Sequence, residues 1–215
     1  MAGRRFLSLL IVFAAFLAAK IDLAAAQSQS TPPGVREALP DTKPTRRSQR
    51  PAKADRTARL NALFDALAKA PNAQIAKLVE SKIEAAMMQS GSATADLLMT
   101  RARLTIEAKD NKLAFELLDA IIQITPNFVE ARAQRATLYY ATKDFARSLA
   151  DIRMILSQEP RHYGALAGLG VILQDIGEDK RALEVFRRAL AINPYMDMLP
   201  EMVKKLTIKV EGREI

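Results

Sequence analysis

Side chains that commonly do chemistry are scarce in this chain of 215 residues. It has no cysteine, which excludes thiol catalysis, disulfide bonds and cysteine–metal sites. Its single histidine, His162, has no second histidine with which to share a metal, and no Gly-x-Ser-x-Gly motif offers a nucleophile. We therefore predict no catalytic, cofactor-binding or metal-binding residues and interpret His162 as a structural junction residue. A hidden Ser–His–carboxylate enzyme is the minor alternative.

Two other groups resemble chemical motifs but fit structural roles better. Gly164, Gly168 and Gly170 suggest a phosphate-binding loop, yet they lie within a helical pattern and lack the preceding strand that such a loop requires. The segment 178–180, Glu-Asp-Lys, separates two apolar stretches of helical spacing and is interpreted as a turn rather than an acid–base pair. Neither group supports an enzymatic function.

The elements that position these residues recur along the chain. Pro126, Pro160 and Pro194 recur at a constant interval of 34, and each follows an apolar stretch with helical spacing. The last unit contains the sequence Leu166-x2-Leu169-Gly170-x2-Leu173, followed by Ala182-x3-Phe186 and Pro194. It resembles the tetratricopeptide repeat (TPR) pattern W-x2-L-G-x2-Y…A-x3-F…P. The resemblance implies an all-α TPR solenoid of three 34-residue helix–turn–helix repeats, at 95–128, 129–162 and 163–196.

Small and bulky residues alternate in a way that explains the pattern. Small residues allow the two helices of one unit to approach closely, and bulky residues fill the space between units. We predict that the repeat-defining core consists of Ala102, Ala114, Leu118, Ala136, Tyr139, Ser148, Ile152, Gly170, Ala182 and Phe186. Arg101 and Arg135 stand where the pattern prefers leucine, and a buried guanidinium needs partners. We expect each to pair with an aspartate on the following helix of its own repeat, Asp119 or Asp151.

Helices are also predicted on both sides of the three repeats. Residues 57–94 contain two apolar stripes of helical spacing and are interpreted as a degenerate repeat or N-terminal cap. Glu80 and Glu84 fall where the repeat pattern requires small and bulky apolar residues, so this pair does not fit the pattern in register. Residues 197–215 are predicted to form a C-terminal cap helix and tail.

The N-terminal segment 1–56 differs in character from the rest. A basic start, an apolar run from Phe6 to Ala19 and three alanines predict a secretory signal peptide at 1–26, cleaved between Ala26 and Gln27. The alternative, a membrane anchor, is weaker because the apolar run is shorter than the roughly 20 residues that span a bilayer. Residues 27–56 hold five of the ten prolines and are predicted to be a disordered, basic linker.

The charge distribution limits the possible partners. Of the net charge of +8, residues 57–215 carry only +2, so the basic character belongs mainly to the leader and linker. The linker is interpreted either as a solvated tether or as a segment that binds an anionic envelope surface, of lipid or glycan. Nucleic-acid binding is not expected, because no aromatic residue is interleaved with the charges.

In TPR proteins the first helices line a concave face that holds a peptide or helix of a partner. The positions that correspond to this groove recur at the same interval of 34: Met99, Arg103 and Ile106; Ala133, Thr137 and Tyr140; Ala167, Val171 and Gln174. Tyr140 is the predicted anchor, since tyrosine offers apolar area and a hydroxyl at low entropic cost. The alternative is a partly packed groove that has no partner.

A narrower resemblance adds an expected cellular role. The runs SGSATADLLMTRA, ATKDFARSLADI, EPRHYGALAGLG and VEGREI resemble a periplasmic TPR protein family of alphaproteobacteria, the TtpA-like proteins. This resemblance, over residues 57–215, implies a periplasmic protein without enzymatic activity that supports cell-envelope integrity. The chain is thus expected to be an exported scaffold that binds envelope proteins, and not an integral membrane protein.

Overall fold

The computed structural model describes residues 50–212, so the predicted signal peptide, its cleavage site and most of the predicted linker lie outside it. Between Arg50 and Glu211 the chain forms nine helices, joined by short turns: α1 (Arg50–Ala68), α2 (Ala73–Met87), α3 (Ala93–Glu107), α4 (Asn111–Ile124), α5 (Val129–Ala141), α6 (Phe145–Gln158), α7 (Tyr163–Asp175), α8 (Asp179–Ile192) and α9 (Leu199–Glu211). The predicted all-α solenoid is confirmed.

The predicted linker requires one correction at its end. Residues 50–56 belong to α1 rather than to an irregular segment. Pro51 does not prevent this, because it is the second residue of the helix and the first turn has no hydrogen bond for its missing N–H to lose.

The three repeats are built as helix pairs: α3 with α4, α5 with α6 and α7 with α8. Two residues after the end of each first helix the chain has a residue with positive φ, and these three residues, Lys109, Lys143 and Gly177, are again 34 apart. At each turn this residue and the next donate backbone hydrogen bonds to carbonyls three and five positions earlier, as in a Schellman-type helix end. The left-handed residue thus reverses the chain at the same point in every repeat.

The core of the repeats follows the small–bulky pattern. All ten predicted core residues are buried. At Gly170 a Cβ atom would lie 2.4 Å from the Phe186 ring, so only glycine allows α7 to approach α8 so closely. Ser148 occupies the small position of the second repeat and donates a hydrogen bond from Oγ to the Ala136 carbonyl at 2.8 Å, across the same type of contact.

Helices flank the three repeats on both sides in sequence, and both flanking groups pack against the third repeat. At the C-terminal end α9 packs against α8, and its Leu199 and Leu206 join the apolar cluster around Phe186. At the N-terminal end α1 and α2 pack against each other, but their shared cluster of Phe64, Leu67, Ala76, Val79 and Ile83 extends to the third repeat, at Tyr163 and Ile192. The N-terminal pair therefore folds back toward the far end of the array.

Candidate functional site

The face predicted to bind a partner is formed by the first helices of the repeats, α3, α5 and α7. Two of its nine predicted residues, Met99 and Ala133, are buried at 1% and 5% exposure and belong to the core rather than to an accessible surface. Their side chains pack between neighbouring helices instead of facing outward. The other seven are half-buried and can be reached from one side: Arg103, Ile106, Thr137, Tyr140, Ala167, Val171 and Gln174. We call these seven residues the inner face.

Tyr140 is held more firmly than the sequence predicted for a free anchor. Its hydroxyl donates a hydrogen bond to Asp175 Oδ2 at 2.8 Å, which links the second repeat to the third. Its ring stacks on Phe145 with centroids 5.7 Å apart, and Lys143 Nζ lies 5.6 Å from its centroid. Partial burial and the Asp175 carboxylate raise the pKa of the phenol, so it stays a neutral donor. A partner would meet a preformed aromatic surface edged by a carboxylate.

The N-terminal pair packs against the start of α7 and the end of α8. Phe64 of α1 meets the Tyr163 ring edge-on at 6.5 Å, and the Arg161 guanidinium lies 4.6 Å from the Phe64 ring centroid. Arg161 also donates a hydrogen bond to Asn61, and Asn193 donates one to Glu80 of α2. These contacts fix the pair against the third repeat.

An acidic cluster lies where α2 meets the repeats. Desolvation raises the pKa of Glu84, and the nearby carboxylates of Glu80 and Glu130 raise it further, while Arg103 opposes them. The same three carboxylates, together with deep burial, raise the pKa of the Tyr163 phenol. The departure of Glu80 and Glu84 from the repeat pattern was the sequence signal that this pair packs differently from a repeat, although it did not show where.

His162 has the structural role predicted for it. It is buried, and its Nδ1 accepts a hydrogen bond from the Ala165 N–H at 3.0 Å, which caps the start of α7. Since Nδ1 is an acceptor, the ring proton is on Nε2, which lies 3.4 Å from Glu130 Oε1.

The arginine pairs are arranged differently from the prediction. Arg135 does pair with Asp151 of its own repeat, at 2.7 Å, but it also pairs with Asp119 of the preceding repeat, at 2.6 Å. Arg101 is exposed, so the predicted pair between Arg101 and Asp119 is wrong. The reason is that Asp119 lies on the side of α4 that faces the second repeat, where it pairs with Arg135. Arg132 adds a contact of 3.5 Å to Asp151.

No helix within residues 50–212 has both the length and the apolar character needed to cross a bilayer. The signal-cleavage residues Ala26 and Gln27 and the basic linker before Arg50 lie outside the described range, so the predictions made for them stay predictions.

Comparison with known proteins shows an extensive similarity to a bacterial relative. The chain is 36% identical over 164 residues to a "TPR repeat-containing protein" of Rhizobium etli, and the match covers 76% of this chain and 80% of that protein. It is also 28% identical over 91 residues to "Anaphase-promoting complex subunit 3" of Schizosaccharomyces pombe, which covers 42% of this chain but only 14% of that protein. No protein-family model matches the chain.

A solved structure has a similar fold at low sequence identity. The first TPR domain of Spaghetti (RPAP3), bound to the HSP90 peptide SRMEEVD, superposes with a TM-score of 0.52 and 16% identity. The match covers 56% of this chain and 95% of that structure.

Proposed function

The chain belongs to the TPR repeat-containing proteins, and on that premise we propose that it is a non-enzymatic scaffold that holds a peptide or helix of another protein on its inner face. The observation that carries the proposal is the alignment of half-buried side chains on three neighbouring first helices: Arg103 on α3, Thr137 and Tyr140 on α5, Val171 and Gln174 on α7. Polar groups and an aromatic ring that are held on neighbouring rigid helices can orient a ligand in the way that binding sites require.

The chemistry of the inner face restricts the partner. Tyr140 and Phe145 offer stacked aromatic area, and Asp175 lies within hydrogen-bonding distance of the tyrosine hydroxyl. A segment with an apolar side chain for the ring and a donor for Asp175 would satisfy both features. The similar TPR structure holds a peptide, which supports a peptide as the ligand class.

We further propose that this activity serves the cell envelope and takes place in the periplasm. The support is the basic–apolar–alanine leader of residues 1–26 and the resemblance of residues 57–215 to periplasmic TtpA-like proteins. Cell fractionation tests the location: the protein should lack residues 1–26 and should be released with the periplasm. Recovery of the intact chain from the cytosol would contradict this part of the proposal.

The binding proposal is tested by crosslinking in intact cells, followed by identification of the crosslinked proteins. The Arg103→Glu/Tyr140→Ala variant should lose a partner that the parent captures. A matched control, Arg153→Glu/Met154→Ala, changes two exposed residues on the outer helix α6 and should keep it. Equal loss in both variants, or loss in neither, would reject the inner face as the binding surface. Loss only when residues 27–49 are deleted would favour the basic linker instead.

A further inference from the structure

The first helix of each repeat has a second stripe, on the side that faces the preceding repeat. In the second repeat this stripe is Ala131, Arg135 and Leu138, and in the third it is Ala165, Leu169 and Ile172. Ala131 and Leu138 are 0% and 4% exposed and pack into the cluster that contains Leu118 of α4. Ala165 and Ile172 are similarly buried, against Ile155 and Ile152 of α6. In both repeats, therefore, the second helix of the preceding unit covers the stripe.

In the first repeat the same stripe is open. Its residues, 34 positions earlier, are Leu97, Arg101 and Leu104, and the two leucines are 64% and 60% exposed. We call these three residues the open stripe. The helix that precedes it in the chain, α2, does not cover it, because α2 is held against the third repeat by the Glu80–Asn193 hydrogen bond and the shared apolar cluster. Two exposed leucines therefore flank Arg101 along one side of α3.

The charge on the open stripe indicates what fits it. At the equivalent position of the second repeat, Arg135 is paired across the repeat boundary with Asp119, at 2.6 Å, on a helix that also supplies Leu118 and Ile122 to the interface. Arg101 has the same position between its two leucines but is exposed. We propose that the open stripe binds an amphipathic helix of another protein, one with an apolar stripe and a carboxylate placed to pair with Arg101.

Two other occupants fit less well. A second copy that docked its open stripe on this one would bring Arg101 against Arg101. A head-to-tail stack would bring it against α9, whose exposed residues Glu201, Lys204 and Lys205 carry a net positive charge, while Lys209 and Glu211 are paired with Asp179 and Arg187. Like charges that face each other oppose association in both cases. This surface is separate from the inner face, so its test does not depend on the proposed function.

A peptide with the sequence of α4 can be used to test binding at the open stripe. A labelled peptide with the sequence of residues 111–124, NKLAFELLDAIIQI, contains the apolar stripe and the carboxylate that cover the equivalent surface of the second repeat. Its binding to the complete chain is measured by fluorescence anisotropy. We expect saturable binding that Leu104→Glu reduces at least about tenfold, since a charge would be buried against the peptide. Ile176→Glu changes an equally exposed apolar residue, at 51%, on the third repeat and should leave the affinity unchanged.

A charge exchange then isolates the role of Arg101. Arg101→Glu in the chain, or Asp119→Lys in the peptide, should each weaken binding about fivefold. The two changes combined should restore most of the affinity, because the pair is re-formed with reversed sign. Absence of binding, a peptide that binds Leu104→Glu as well as the parent, or single changes without rescue would overturn the proposal. So would a dimer of the free chain in sedimentation that Leu104→Glu dissociates, because a second copy would then be the occupant.

Discussion

At two facing positions the second repeat has Arg135 and Asp151, whereas the third repeat has Leu169 and Val185. In the second repeat the side chains form an ion pair of 2.7 Å with Asp151 buried, and Arg135 also reaches Asp119 of the first repeat. In the third repeat both residues belong to the apolar cluster around Phe186. Equivalent helix pairs in the two repeats thus have an ionic contact in one case and an apolar contact in the other, at the same position of the repeat.

The difference teaches what each contact contributes. The apolar contact stabilises the third repeat through burial, which has little directional preference. The ionic contact is directional, and it joins three helices from two repeats, so it favours one register between them. A buried ion pair adds little net stability over an apolar pair of the same volume, but it is costly to break from one side.

The largest effect is expected in the third repeat, where the compared contact is apolar. Phe186→Ala should lower the free energy of unfolding by about 3–5 kcal/mol, because it leaves a cavity between α8 and the backbone of Gly170. Urea denaturation gives the value. Phe186→Leu is the matched control and should cost less, since it fills part of the space. An unchanged midpoint for the alanine variant would mean that the third repeat is not packed around this ring.

The next largest effect is expected in the second repeat, where the compared contact is an ion pair. Asp151→Ala should cost about 3 kcal/mol, because Arg135 loses the buried carboxylate that binds two of its nitrogens. The double variant Arg135→Leu/Asp151→Val copies the third repeat at these two positions and should recover part of that loss, with the rest retained because Arg132 also loses its contact with Asp151. Asp119, about half exposed, can then be solvated. A double variant as unstable as Asp151→Ala would show that a leucine and a valine cannot replace the ion pair in the second repeat.

The turns inside the three repeats differ in a smaller way. Gly177 has positive φ at no cost, whereas Lys143 and Lys109 adopt the same conformation with a side chain. Lys109→Gly should therefore stabilise the fold by about 1 kcal/mol, and Gly177→Lys should destabilise it by about the same. Lys143→Gly should gain less than Lys109→Gly, because it also removes the contacts of Lys143 with two aromatic rings. Thermal unfolding of the three variants ranks them, and a loss of stability in Lys109→Gly would contradict the strain argument.

The 34-residue period of the sequence predicted much of this fold, because it identifies which positions are equivalent in the three repeats. The small residue at Gly170 predicted a close approach of the second helix of its unit, but the pattern assigned Phe186 to the space between units and did not show that the two residues touch. However, residues at equivalent positions of two repeats can have different neighbouring helices packed against them. Arg101 and Arg135 are equivalent, yet only Arg135 has a preceding repeat to supply Asp119. The prediction for Arg101 failed for that reason.

The inner face was predictable only in part. The spacing located the residues on the first helices, but it did not distinguish Met99 and Ala133, which are buried, from neighbours that are half-buried. The docking of α1 and α2 depends on contacts between residues about 100 positions apart, such as Arg161 with Asn61. No local pattern encodes a contact over that distance, so the structure was needed to find it.

That docking gives the smallest predicted effect. Desolvation raises the pKa of Glu84 and Glu80 above the ordinary value of 4.5, so these carboxyls hold protons more strongly in the folded chain than in the unfolded one. Their contribution to stability is fully present below pH 4.5 and is lost as the pH rises through the raised pKa values.

Glu84→Gln should therefore gain stability relative to the parent between pH 4.5 and pH 7, as followed by urea denaturation across that range. Glu116→Gln, on the exposed side of α4, is the control and should follow the parent at every pH. If Glu84→Gln also follows the parent throughout, then α2 does not lie against Glu130 and the third repeat in solution.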